Sequence, residues 1–115
     1  MRFMMLMIPK GYEQAGPDFK PEPRALAAMT KYNESLKKAG VLLSCDGLQP
    51  PSMGARISFK GGKPNVIDGP FPEANETLGG YWIVQAKSKD EVIEWAARCP
   101  ASENEVSEIR QIAEE

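Results

Sequence analysis

Val66-Ile67-Asp68-Gly69-Pro70-Phe71-Pro72-Glu73-Ala74-Asn75-Glu76-Thr77-Leu78-Gly79-Gly80-Tyr81 is the stretch on which the reading of this chain turns. Two apolar residues run into an Asp-Gly-Pro turn, a short acidic segment follows, and Gly79-Gly80 releases the chain into a second apolar run. Glycine and proline gather where a backbone must bend sharply, here at Gly69-Pro70 and again at Gly79-Gly80. The stretch reads as a turn with one helical turn attached, set between two strands of a sheet. It also brings three carboxylates together, Asp68, Glu73 and Glu76.

Working outward, Gly54 to Phe59 reads as a strand, with Ile57 and Phe59 on one side and Arg56, Ser58 and Lys60 on the other. Gly61-Gly62-Lys63 makes the hairpin turn, and Asn65-Val66-Ile67 is the return strand. Downstream, Gly80 to Ala86 is rich in aromatic and β-branched residues and is a strong strand signal. Ser88 and Glu91 form a capping box that opens a helix from about Lys89 to Arg98, stopped by Pro100.

Farther upstream, Phe3 to Ile8 is apolar at every position, so both faces of that first strand are expected to be buried. Pro9 to Pro23 is a long loop, in which Tyr12, Asp18 and Lys20 either close over a site or form a solvated crossover. A helix follows from about Arg24 to Ala39, its stripe of Ala25, Leu26, Met29, Tyr32, Leu36 and Ala39 predicting core packing. Val41 to Cys45 is the next strand, and Leu48-Gln49-Pro50-Pro51-Ser52 is a bend. The tail is open between two readings. Val106, Ile109, Ile112 and Ala113 fit a helix slightly better, whereas Glu105 to Ile112 also fits a final strand.

Two strand-helix-strand units in one domain, residues 1–115, predict an α+β, ferredoxin-like arrangement: an antiparallel sheet with two helices on one face. Two helices cover only that face. The apolar residues of the first strand and of Tyr81 to Val84 point to both, so a second copy packed sheet on sheet, a homodimer, is expected.

The chain has no histidine, which removes Ser-His and Cys-His nucleophiles, histidine acid-base chemistry and histidine metal sites. A net charge of −2 gives no electrostatic reason to expect nucleic acid or a membrane surface as partner. Cys45 and Cys99 stand far apart without a CxxC and predict reduced, partly buried thiols in a cytoplasmic protein. No run reaches membrane-spanning length.

Asp68-Gly69-Pro70-Phe71-Pro72-Glu73 resembles the motif of the YCII-related proteins, specifically their DGPF-type branch. The resemblance extends to the methionine-rich opening strand, Gly47-Leu48-Gln49-Pro50, Leu78-Gly79-Gly80-Tyr81, and Glu91 to Pro100 with Trp95-Ala96-Ala97. It implies a dimeric α/β-barrel of ferredoxin-like subunits, with Glu108 to Ile112 as a closing strand. The His-Asp pair of the wider superfamily has no counterpart here, and Asn75 stands where the branch usually has lysine.

Two functional readings follow. In one, Asp68 sits at the mouth of a cleft between the sheet and the dimer partner, near Phe71, Tyr81 and Trp82, where burial would raise its pKa and suit it to acid-base catalysis of proton transfer, elimination or hydrolysis. Arg56 then anchors an anionic small molecule, with Phe71, Tyr81, Glu73 and Glu76 around it. In the other, the same cleft binds a ligand without catalysis, and Asp68 serves the turn. The spacing of the three acids matches no oxygen-ligand loop, so neither a metal nor a cofactor is expected.

Overall fold

The computed structural model describes residues 1–71 and 77–114. Six strands and two helices run in the order β1 (Arg2–Ile8), α1 (Pro23–Lys38), β2 (Leu42–Gly47), β3 (Ala55–Ser58), β4 (Asn65–Asp68), β5 (Gly80–Gln85), α2 (Lys89–Ala97) and β6 (Val106–Gln111). Four strands form one antiparallel sheet in the order β2-β5-β1-β6. Leaving out β3 and β4, this is the ferredoxin-like order, with the second and third sheet strands adjacent and the first and fourth at the other side.

Alternation decides what each sheet face carries. Phe3, Met5 and Met7 of β1 are buried, and Trp82 and Val84 of β5 pair with Met5 and Phe3 on the same face. These residues form the core with Tyr32 and Leu36 of α1 and Val92 of α2. Met4, Leu6, Tyr81 and Ile83 point the other way and are only half-buried. No described element covers that face. The first strand is therefore buried on one side and half-buried on the other, rather than buried on both.

Both helices begin at caps their sequences encode. The Glu22 carboxylate accepts from the backbone N–H of Arg24 and Ala25, and Pro23 occupies the first turn, where its missing N–H costs nothing. At α2, Ser88 accepts from Glu91 N–H while the Glu91 carboxylate accepts from Lys87 N–H, the expected capping box shifted by one donor.

The tail is a strand, as the family resemblance implied and against the slight lean of its periodicity to a helix. Ser102 and Glu105 do engage each other as in a capping box, but Asn104 lies in the left-handed region at φ 70°, which ends the turn. β6 then pairs along β1 from Phe3–Gln111 to Ile8–Val106.

The opening stretch is also placed differently from expectation. β4 and β5 do not belong to one sheet: β3 and β4 pair only with each other, from Ala55–Asp68 to Ser58–Asn65, as a two-stranded arm inserted between β2 and β5. Its tip turns through Gly61 and Gly62, both left-handed. The two glycine positions of the stretch serve close approach rather than left-handed bending. A Cβ on Gly69 would lie 1.7 Å from the Pro51 carbonyl oxygen, and one on Gly79 would lie 2.7 Å from the Pro9 ring. Gly69-Pro70 is a cis peptide. The helical turn expected near Glu73 and Glu76 lies outside the described residues, as do those two acids.

Candidate functional site

The amphipathic stripe of α1 is only partly consumed by the core. Tyr32 and Leu36 are buried and Met29 packs against them, but Ala25 and Leu26 stay exposed, Leu26 by 55%. They face a cleft between the start of α1, the sheet end where β2 leaves and β5 enters, and the loop of residues 9–23. An inner chamber of about 320 Å³ is lined by Met29, Asn33, Cys45, Gly47, Gly80 and Trp82. An outer chamber of about 360 Å³ is lined by Tyr12, Phe19, Pro21, Leu26, Leu48 and Glu105, among others. Met7, Met29, Gly47 and Gly79 border both, so the chambers are continuous.

The roof is tied down by specific bonds. Tyr12 donates its hydroxyl to the Leu48 carbonyl, and its ring meets Phe19 edge-on at 5.3 Å. Ser52 donates to the Ala15 carbonyl at 3.1 Å, linking the loop to the bend before the arm. Burial raises the Tyr12 pKa, which keeps the donor protonated.

Asn33 is a polar residue in the wall of the inner chamber. The Trp82 indole N–H donates to Asn33 Oδ1 at 2.7 Å. An indole can only donate, so the oxygen of the amide is the bound end, and the NH₂ group has no hydrogen-bond partner among the described residues. Trp82 is itself held edge-on by Tyr32, with ring centroids 5.9 Å apart, and Tyr32 donates to the Trp95 carbonyl at 2.6 Å. Burial pushes the Tyr32 hydroxyl well above its ordinary value, so that donor is fixed as well. A chain of core contacts thus fixes the Asn33 amide at the wall of the inner chamber. Cys45 lies beside it as a free thiol, its pKa raised by burial and by the neighbouring Asp46 charge.

The residues predicted for the site are dispersed. In the single chain Asp68 is exposed at the end of β4 and lines neither of the two chambers. Arg56 stacks over the Phe71 ring, 4.2 Å from its centroid, on the arm. Tyr81 borders the inner chamber, but alternation directs its ring to the uncovered sheet face, where its hydroxyl donates to Asp46 Oδ2 at 2.9 Å. Of the loop residues, Tyr12 closes over the cleft while Asp18 and Lys20 are exposed. Asn33 escapes a sequence reading because it lies off the apolar stripe among solvated residues. Its signal is Met29 four residues earlier, a neighbour one helical turn away.

Comparison with known proteins agrees with the fold. The model of the YCII-related domain family matches residues 1–115. An uncharacterised protein of Rhizobium meliloti (strain 1021) is 28% identical over 75 residues, which is 65% of this chain. The matched region spans 60% of that relative's length.

Proposed function

The chain belongs to the YCII-related domain family, and from that premise we propose that it binds a compact, largely apolar small molecule in the cleft beneath residues 9–23. The Asp68-Gly69-Pro70-Phe71 motif supports membership of the DGPF-type branch. One observation carries the binding reading: Asn33 lines the inner chamber with its amide oxygen held by Trp82 and its NH₂ group without a hydrogen-bond partner among the described residues. A donor in that setting selects an acceptor, so the ligand carries a carbonyl or carboxylate at one end and an aliphatic or aromatic body that fills the outer chamber. Asp68 lines neither chamber of this cleft, which favours a binding module over acid-base catalysis by that carboxylate here.

A thermal-shift screen of short aliphatic and aromatic acids and ketones tests the reading. At least one class is expected to raise the melting temperature, and Asn33→Ala is expected to weaken it about tenfold, as for one lost hydrogen bond in a buried site. Met29→Trp, which fills the junction of the chambers, is expected to abolish the shift. Ligands whose shifts survive both substitutions would contradict the site.

We also propose that the protein works as a homodimer through the uncovered sheet face. The half-buried Met4, Leu6, Tyr81 and Ile83 support this, being an apolar centre bordered by Asp46, Glu108 and Arg110.

A further inference from the structure

We propose that the β3-β4 arm clasps a second copy of this chain, forming a contact separate from the sheet face. Every residue of β3 and β4 except Ser58 is exposed. The register puts Ile57 opposite Val66 on one face of the arm, with Ala55 at its root. Ile57 is 56% exposed and Val66 63%, and Phe59 at the tip reaches 72%. An isolated two-stranded hairpin is at best marginally stable in water, so an arm with its apolar face bare requires something to pack on.

The size of the missing contact identifies the occupant. A folded monomer of 12.7 kDa is expected to expose ~6,200 Å², whereas this chain exposes 8375 Å². The excess of roughly 2,000 Å² belongs to the whole chain, the arm and the uncovered sheet face together, and it is of the size that a subunit of an obligate dimer buries. The radius of gyration agrees: 15.7 Å, against ~13 Å for a compact chain of this length. Charge favours self-association. The arm carries Arg56, Lys60 and Lys63 against Asp68 alone, while the chain as a whole is net negative, so the arm is complementary to the body of another copy. In a two-fold pair each arm reaches the other body, and the contact closes on itself.

The proposal rests on the homodimer reading for its occupant, and the test separates the two contacts. Isotope-filtered NOE spectra of a dimer with one labelled and one unlabelled chain report directly on the arm. Methyl groups of Ile57 and Val66 are expected to show contacts to the other chain. The double variant Ile57→Glu with Val66→Glu, both at exposed positions, is expected to raise the dimer dissociation constant about 100-fold in sedimentation equilibrium. A dimer without arm contacts in the spectra, undisturbed by the double variant, would overturn the clasp and leave the sheet face as the interface. A wild-type chain that stays monomeric at hundreds of micromolar would overturn both.

Discussion

Gly69 is bare because the Pro51 carbonyl occupies the space a side chain would need. The Pro50-Pro51 bend and the Asp68-Gly69-Pro70-Phe71 turn therefore meet at one contact, with Gly69 N–H donating to the Gly54 carbonyl at 2.9 Å. Gly69→Ala is expected to cost about 2 kcal/mol in urea unfolding, the scale of a forced backbone shift in a packed site. Cys99 gives a second residue-level expectation. Burial, reinforced by the Glu105 charge, pushes its thiol up to about 11 from an ordinary value of 9.0. The unfolded chain ionises this group first, so its contribution to stability is complete below pH 9 and is lost as pH rises through 11. Tyr32, also raised, acts in the same direction at still higher pH. Urea midpoints should therefore be level from neutrality to about pH 9 and fall beyond it, with a shallower fall in Cys99→Ala.

At the scale of elements, loop 9–23 is a roof because its polar bonds reach the bend at Leu48 and Ser52 instead of solvent. Tyr12→Phe keeps the ring against Phe19 and removes only the hydroxyl. It is expected to speed hydrogen exchange at the Ala15 and Phe19 amides about fivefold, as for the loss of roughly 1 kcal/mol of local stability. Unchanged exchange would mean that the loop is held by its prolines alone. The elements themselves were legible from local chemistry: alternation marked β5, capping residues marked α2, and glycines marked the tip of the arm. What stayed hidden depended on contacts between distant segments. Whether Ala25 and Leu26 meet core or cavity is set by where β2 ends, and nothing within the helix encodes that. The same holds for Asp68, whose surroundings depend on whether β4 joins the main sheet or stands apart from it.

Taken as a whole, the molecule is a ferredoxin-like body with a cleft at one end and an exposed two-stranded arm rooted beside it. The bend at Pro50-Pro51 belongs to both features, since it anchors the roof through Ser52 and seats the arm through Gly69. The two-layer order reads directly from the strand-helix-strand pattern, and it leaves Met4, Leu6, Tyr81 and Ile83 half-buried on the second face. The cleft is the central claim, and amide spectra of the ¹⁵N-labelled protein, followed while the tightest ligand from the screen is added, test it most directly. The expected result is that shifts concentrate at residues 29–33, 45–48 and 79–82, with the Asn33 side-chain NH₂ moving most and Arg56 and Asp68 unmoved. Shifts centred on Arg56, Asp68 and Phe71, with Asn33 and Trp82 unaffected, would contradict it.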